Sequence, residues 1–332
     1  MRIALDAMGG DFGPEVTVGG AAAFAKASGA TVLLVGDPDH IEPLVLQHDT
    51  ANLKVVPASQ IISMDDHPVQ AVRRKPNASL VVAAKLVKQG EADAFVSAGN
   101  TGAVMAAAFL HMGRIPGIDR PAIVSPVPVI TGEAILLDVG ANVDCRPQHL
   151  LQFAGMGHAY MQKVRGISEP TIGLLNIGTE ISKGNELTTR TYQLLENSEL
   201  NFIGNVEGRE VFSGRTNVII CDGFVGNVVL KVAEGLAGLM LGFLWKELVS
   251  DQATNPGGLP AKKVFQQLKR TLDYTEYGGA PLLGVDGVAI ICHGSSDTLA
   301  ICNALNVAED AVRAGLRDSI ADTAMKLGGE GL

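Results

Sequence analysis

Short apolar runs alternate with polar, glycine-containing loops and helix-like segments along the whole chain. Each run opens one of seven segments, which span residues 2–11, 31–37, 94–103, 134–145, 172–180, 218–227 and 288–297. Strands that alternate with helices form a mostly parallel sheet with helices on both faces. The pattern therefore predicts an α/β fold with a three-layer αβα, Rossmann-like architecture.

Six of the seven loops after these runs carry amides, hydroxyls or glycines suited to binding an anion. Ligands of parallel sheets bind beyond the carboxyl ends of the strands. We therefore expect these polar groups to converge on one anion-binding site. The alternative is that Gly, Asp and Asn only form the turns and cap the following helices.

Three residues in these loops are candidates for chemistry. Lys183, in "LLNIGTEISKGNE" (174–186), is either a counter-charge for a phosphate or oxyanion, or an exposed surface lysine. Asn227 follows "DGFVG" and is either a helix N-cap or a donor to a substrate carbonyl. His293, in "ICHGSSD", is either a proton donor or a structural histidine at a strand end.

The acidic residues at the strand ends show no dedicated metal-ligand spacing. They could hold Mg²⁺ through oxygen atoms, but we prefer turn formation and helix capping for Asp6, Asp11, Asp138, Asp144, Asp222 and Asp297. The chain also lacks the P-loop and GxGxxG phosphate signatures, which disfavours nucleotide binding. We expect neither a metal nor a cofactor.

The segment "NVVLKVAEGLAGLMLGFLWKELV" (227–249) is strongly apolar, with charged residues near both ends. Its uncharged centre, "GLAGLMLGFLW" (235–245), is too short to span a bilayer, which takes about 20 residues. The segment could be a core or dimer helix, a wall for an acyl chain, or an interfacial membrane contact. Burial in the core or in a dimer is the preferred interpretation.

The formal net charge of −9 argues against nucleic-acid binding, which needs a large basic surface. Two basic segments stand out, "PAKKVFQQLKRTL" (260–272) and "VRRKP" (72–76). A basic cluster is usually a solvated face, but on an acidic protein each is a candidate dock for an acidic partner. The candidate docking residues are Arg73, Lys75, Lys262, Lys263, Lys269 and Arg270.

Cysteine spacing and loop composition bear on compartment and domain organisation. The four cysteines are widely spaced and form no CxxC motif, so we interpret them as reduced thiols of a cytosolic protein. The weakest boundary is "SDQATNPGGLPAKK" (250–263), an Asn-, Pro- and Gly-containing loop. We predict a single domain over residues 1–332, with a helical excursion around 228–275.

Seven long motifs occur along the chain: "DAMGGD", "SAGNTGA", "LLDVGANVDC", "LLNIGTEISKGNE", "FIGNVEGRE", "DGFVGNVVLK" and "GGAPLLGVDGVAIICHGSSD". Together they resemble the motifs of the bacterial phosphate acyltransferase (PlsX) family of phospholipid synthesis. The resemblance runs from Met1 to about Asn306 in the family's order, with Glu210 where Asp is expected. It implies a fold similar to phosphotransacetylases and to isocitrate and isopropylmalate dehydrogenases.

The resemblance also implies a reaction and a set of partners. A long-chain acyl group passes from acyl carrier protein to inorganic phosphate, and a downstream membrane acyltransferase then transfers it to glycerol 3-phosphate. Members are homodimers in the cytoplasm that can associate peripherally with the inner face of the membrane. The basic segments would then dock the acidic carrier protein.

Phosphate is itself the nucleophile in this reaction, so the protein's task is to position it against the thioester. The implied catalytic residues are Lys183, Asn227 and His293. The implied phosphate or substrate pocket consists of Gly9, Gly10, Asn100, Thr101, Gly102, Asn142 and Ser295. Rival interpretations are a short-chain phosphotransacylase that uses coenzyme A, a metal-dependent decarboxylating dehydrogenase, and a non-catalytic membrane-associated scaffold that binds carrier protein.

Overall fold

In the part of the chain that the structure describes, eleven strands form one sheet. The computed structural model describes residues 1–48, 51–251, 265, 268 and 278–329. Within these ranges the strands are β1 (Arg2–Asp6), β2 (Thr31–Gly36), β3 (Leu53–Pro57), β4 (Ala94–Ser97), β5 (Ala122–Val127), β6 (Ala134–Leu137), β7 (Ile172–Asn176), β8 (Phe202–Glu207), β9 (Val218–Ile220), β10 (Ala280–Leu283) and β11 (Val288–Ile291). Their order in the sheet is β3-β2-β1-β4-β11-β10-β5-β6-β9-β7-β8.

Helices follow most of the strands. They are α1 (Gly13–Ser28), α2 (Pro38–Val45), α3 (Pro68–Arg74), α4 (Ser79–Lys88), α5 (Thr101–Ala107), α6 (Pro147–Lys163), α7 (Glu186–Glu196), α8 (Gly223–Asp251), α9 (Thr298–Arg313) and α10 (Leu316–Gly329). A π-helical turn (Ala108–Met112) continues α5, and a short 3₁₀ turn (Gly208–Glu210) follows β8.

All seven apolar runs in the sequence are strands, namely β1, β2, β4, β6, β7, β9 and β11. The strands not predicted are β3, β5, β8 and β10. Proline explains two of them, because β5 contains Pro126 and β10 contains Pro281, and proline disfavours a strand assignment. The edge strands β3 and β8 are only partly buried, so their apolar pattern is weak.

The strands on either side of β5 and β10 run in opposite directions. β1 pairs in parallel with β2 and β4, and β4 with β11. β10 is antiparallel to both β11 and β5, and β5 is antiparallel to β6. These three reversals leave β6, β9 and β7 antiparallel to β1, β4 and β11. The strand-end loops therefore form two groups at opposite edges of the sheet, not the single group expected from the sequence.

Two apolar cores cover the two faces of the sheet. Along β1, Ile3 and Leu5 belong to one core, together with residues of α1, α6, α9 and α10. The intervening Ala4 belongs to the other core, with residues of α3, α4 and α5. This alternation follows from the two-residue period of a strand. The predicted three-layer αβα architecture is confirmed.

Helix α8 is the exception, because its apolar residues are exposed within the chain. An 18-residue window within Gly223–Lys246 has a mean hydropathy of 1.7 and no buried residue, and by length and composition alone the helix could cross a membrane. A stripe of exposed side chains follows one face: Phe224, Val228, Val232, Leu236, Leu239 and Phe243. The chain's own core therefore does not cover this helix, and the preferred interpretation, burial in the core or in a dimer, stays a prediction in its dimer form.

Most of the predicted excursion beyond α8 lies outside the described residues. This holds for the loop after Asp251 and for the basic residues Lys262, Lys263, Lys269 and Arg270. The ring of the described Phe265 lies 5.1 Å from that of Trp245 near the end of α8. The single-domain organisation stays a prediction.

Candidate functional site

The loops after β1, β4 and β11 meet at one edge of the sheet. Ser97 Oγ donates to Asp6 Oδ2 at 2.7 Å and accepts the Gly99 amide at 3.0 Å. The Asp11 amide donates to the Gly294 carbonyl at 2.7 Å. Burial raises the pKa of Asp6, and hydrogen bonds from serine hydroxyls and backbone amides partly oppose this shift. Asp6 is therefore a bracing residue at the centre of these loops.

Glycine at position 9 is required by the close approach of two loops. A Cβ there would lie 2.6 Å from Asp6 Oδ2 and 2.8 Å from the Gly99 amide nitrogen, inside van der Waals contact. Gly10 follows with a φ of 94°, in the left-handed region. Both glycines shape the loop, and their contact with phosphate stays a prediction.

Asn100, Thr101 and Gly102 lie together at the start of α5 but have different roles. Asn100 Oδ1 accepts the Ala103 amide at 3.0 Å, and Asn100 Nδ2 donates to the Met64 carbonyl at 2.7 Å. A Cβ on Gly102 would lie 2.7 Å from Pro68 Cγ. Asn100 is thus a helix cap that fixes the neighbouring loop, and only Thr101 of the three lines the cavity described below.

Asp138 organises the loops at the opposite edge. Its fully buried carboxylate accepts the backbone amides of Ile123 and Ala141 at 3.0 Å and of Asn142 at 2.7 Å. Burial raises the pKa of Asp138, and these donors partly oppose it. The Asn142 side chain donates to the Pro121 carbonyl at 2.7 Å and to Asp138 Oδ2 at 3.0 Å. Asn142 therefore braces the loop. Its backbone and side-chain N–H groups all donate within the protein, so none is left for the predicted contact with an anion.

Asn227 projects from the second turn of α8 and does not cap this helix. The cap is Asp222, whose Oδ1 accepts the Val225 amide at 2.9 Å. Asn227 is exposed and faces Gly140 in the loop after β6. Its amide is thereby available to a ligand.

Lys183 belongs to the same edge as Asn227, because β7 and β9 are parallel neighbours. Asn176 Nδ2 donates to the Lys183 carbonyl at 3.0 Å, and Asn185 caps α7 by accepting the Thr188 amide at 3.0 Å. The Lys183 side chain passes over Gly178 and is exposed. It does not contribute to the lining of the cavity.

His293 lies at the other edge, and Ser295 contacts its ring. The Ser295 amide donates to His293 Nδ1 at 3.2 Å, and Ser295 Oγ lies 2.7 Å from the same nitrogen. Because Nδ1 accepts the amide, the neutral ring carries its proton on Nε2. Ser295, predicted to bind substrate, therefore orients His293.

A cavity of about 810 Å³ joins the two edges. Its floor is formed by β5, β10 and β11, α8 forms its wall, and most of its lining is apolar. Polar side chains include Thr101, His293 and Ser296 from one edge, and Asn227, Lys231 and Glu234 from α8. Cavities of this size and character bind small ligands and cofactors.

The strand register separates His293 from the Asn227 end of the cavity. Ile123, whose amide donates to Asp138, pairs with Leu282 of β10. Ile291 pairs with Ala280, which is two residues away on β10, and His293 lies two residues beyond Ile291 in the same direction. His293 is therefore four residue steps along the sheet from Ile123, or roughly 13 Å. The structure brings Lys183 and Asn227 to one edge and His293 to the other.

The cavity contains a cysteine, Cys292, that is chemically inert. Burial raises its pKa to about 12, so its thiol stays protonated at neutral pH. Burial raises the pKa of Cys145 to about 12 as well, and that of Cys221 well above its ordinary value. All four cysteines are free. No thiolate in the lining is therefore available as a nucleophile.

Acidic side chains at the strand ends serve the fold. Asp222 and Asp297 cap α8 and α9, and Asp6 and Asp138 brace loops. Among the described residues, no three His, Cys, Asp or Glu side chains come together as a metal site.

Of the residues expected to dock an acidic partner, the structure describes Lys75 and Arg73, and these two differ in their contacts. Lys75 Nζ contacts Asp66 Oδ2 at 2.6 Å and the Ile61 carbonyl at 3.0 Å, so it fixes a loop of its own chain. Its ammonium lowers the pKa of Asp66. Arg73 is exposed at the end of α3 and better suited to a partner.

Sequence reasoning missed most of the residues that line the cavity, including Ser296, Lys231 and Glu234. Ser296 is buried near the end of the loop before α9, and Lys231 and Glu234 follow Asn227 along α8. The signal for the last two was their spacing, since Asn227 and Lys231 are four residues apart and share a helix face.

Comparison with known proteins agrees with this architecture. Phosphate acyltransferases from Desulfitobacterium hafniense and Heliobacterium modesticaldum are 51% and 53% identical, over 96% and 94% of both chains. A phosphotransacetylase from Streptococcus pyogenes has a TM-score of 0.60 at 18% identity, covering 98% of this chain and 94% of that one. A 4-hydroxythreonine-4-phosphate dehydrogenase from Klebsiella pneumoniae has a TM-score of 0.57 at 12% identity, with 94% and 100% covered. These two structures are similar in fold. A family model described as "Fatty acid synthesis protein" matches residues 1–318, and the chain belongs to that family.

Proposed function

We propose that the protein transfers a long-chain acyl group from acyl carrier protein to inorganic phosphate and releases an acyl phosphate. Acyl transfer to phosphate follows from family membership and from relatives named phosphate acyltransferase that are about half identical over nearly the whole chain. The length of the acyl chain and the identity of its carrier are proposals that go beyond what family membership shows.

The apolar cavity of about 810 Å³ carries the long-chain assignment. Each methylene group moved from water into such a cavity contributes about 0.8 kcal/mol. A long acyl chain gains this contribution many times over, whereas an acetyl group leaves most of the cavity unfilled. The cavity therefore favours a long chain over the short-chain rival.

The chemistry requires no nucleophile from the protein. A phosphate oxygen attacks the thioester carbonyl carbon, the C–S bond breaks, and the departing sulfur takes up the proton lost from phosphate. The thiol leaves readily, since a thiol pKa near that of cysteine is about 8.5. An acyl-cysteine intermediate is disfavoured because the thiol of Cys292 stays protonated.

The exposed amide of Asn227 lines the cavity, and we assign it the role of donating a hydrogen bond to the oxyanion that forms on the thioester carbonyl. Lys183, which follows β7 at the same edge of the sheet, supplies positive charge there. Thr101 and His293 lie at the other end, and Ser295 keeps the His293 Nε2–H group oriented. Gly9, Gly10, Asn100, Gly102 and Asn142 act by shaping the loops.

The proposal includes three associations. The exposed Arg73 fits an acidic carrier protein by charge. The apolar stripe on α8 fits a second copy of the chain, because stripes of this kind are covered in stable assemblies. We place the protein in the cytoplasm, in peripheral contact with the membrane, where a membrane acyltransferase consumes the acyl phosphate.

The test measures acyl phosphate formed from palmitoyl-carrier protein, with and without inorganic phosphate, in the presence of a metal chelator. We expect product only with phosphate, and a higher kcat/KM than with palmitoyl- or acetyl-coenzyme A. Preference for acetyl-coenzyme A would replace the proposal with the short-chain rival. Binding of carrier protein without turnover would favour the scaffold.

Substitution of Ala237, which lines the cavity from α8, tests where the acyl chain lies. Ala237→Phe should lower kcat/KM for the palmitoyl substrate about tenfold, because overfilling a packed site costs about 1–3 kcal/mol. A short-chain substrate should lose less than threefold. Leu244→Phe is the matched control, since Leu244 is exposed on the same helix but belongs to neither the cavity lining nor the stripe. Equal losses for both chain lengths would place the acyl chain elsewhere.

A further inference from the structure

An ion pair lies on the wall of the otherwise largely apolar cavity. Lys231 Nζ and Glu234 Oε2 are 2.8 Å apart, and both residues contribute to the lining. The Lys231 side chain is 51% exposed and that of Glu234 26%, so both charges stay partly solvated beside the apolar lining. The pair satisfies both charges while the cavity is empty, but it does not by itself explain why an ammonium group lies there.

Helix geometry places this ammonium beside Asn227. Residues four apart on a helix are neighbours on one face, with Cβ atoms about 5–6 Å apart. Asn227 and Lys231 have this spacing and both line the cavity. An amide donor and a positive charge therefore face the same space, one turn of α8 apart.

We propose that Lys231 binds inorganic phosphate in this cavity, next to the carbonyl oxygen that Asn227 contacts. The inference rests on the proposed function and adds a residue to it. A phosphate dianion that enters an apolar space needs a counter-charge, and Lys231 supplies one close to the reacting carbon. Glu234 holds the ammonium in place before phosphate binds, and its own negative charge then competes with the phosphate for Lys231.

This competition distinguishes phosphate binding from a purely structural ion pair. Lys231→Gln should raise the KM for phosphate about tenfold or more, and Lys231→Arg should restore it to within threefold. Glu234→Gln should instead lower the KM for phosphate, because it removes the competing carboxylate. If the pair only stabilises α8, both glutamine variants should act in the same direction, and the proposal is then wrong.

Lys246→Gln is the control, because Lys246 is an exposed lysine of the same helix outside the cavity. Its KM for phosphate should match that of the wild type. Calorimetric titration with inorganic phosphate gives a readout independent of turnover: weaker binding by Lys231→Gln supports the inference, and unchanged binding overturns it. Failure of the wild type to form acyl phosphate would refute the proposed function, and the titration would still test Lys231.

Discussion

Gly226→Ala should lower the free energy of unfolding by about 3 kcal/mol, the upper part of the range for overpacked sites. A Cβ at Gly226 would overlap the carbonyl oxygen of Asp138 and approach Cys221 Sγ to 3.0 Å. Both neighbours are buried, and the closer one is a backbone atom that no rotamer change can move away. The first turn of α8 would have to shift, and Asn227 with it. Urea denaturation measures the change, and kcat/KM should fall in parallel.

The control for this variant is Gly235→Ala on the same helix. A Cβ at Gly235 meets no atom within 4 Å. Alanine should therefore raise the free energy of unfolding by about 0.5–1 kcal/mol, the usual gain over glycine inside a helix. Equal effects of the two variants would show that α8 does not begin against Asp138.

Asn227→Ala should lower kcat/KM by about 100-fold, the loss typical of one oxyanion donor. Asn227→Asp should lose at least as much, because a carboxylate of the same size repels the developing negative charge. The free energy of unfolding should change by less than about 0.5 kcal/mol in the alanine variant, since the side chain is exposed. Steady-state kinetics with palmitoyl-carrier protein, together with denaturation curves, separates the two effects.

Two comparisons define what would contradict this assignment. Asn197→Ala removes an exposed amide that donates to the Gln193 carbonyl at 2.8 Å, and it should leave kcat/KM unchanged. His293→Ala should cost less than tenfold, because the strand register places His293 away from the Asn227 end and the thiol needs no strong acid. A larger loss for His293→Ala than for Asn227→Ala would move the thioester to the other end of the cavity.

The strands of the fold were predictable where their burial was complete. Runs such as 134–137 and 288–291 are buried on both faces of the sheet, so every residue is apolar and the run is visible in the sequence. The strands that contain Pro126 and Pro281 were not predicted, and these two strands reverse the direction of the sheet. The missing strands explain why one convergent site was expected where two groups of loops exist.

The candidate site was predictable by residue type more than by role. Asn100 and Asn142 were expected to contact an anion, but their amides cap a helix and brace a carboxylate. A loop sequence shows that such groups are present, but not which backbone atoms they satisfy. Lys231 and Glu234 were overlooked because a lysine and a glutamate near the start of an apolar helix are typical of a solvated surface.

The sequence by itself determined the αβα architecture and the family, since local apolar runs and long motifs carry that information without reference to distant residues. Only the tertiary structure decided which polar groups share a cavity. That outcome depends on the antiparallel pairing of β5 and β10 and on the position of α8 across them, which bring together Thr101, Asn227 and His293 from distant parts of the chain. Contacts between residues far apart in sequence arise from sheet order and register, and neither is encoded in the local pattern of any one segment.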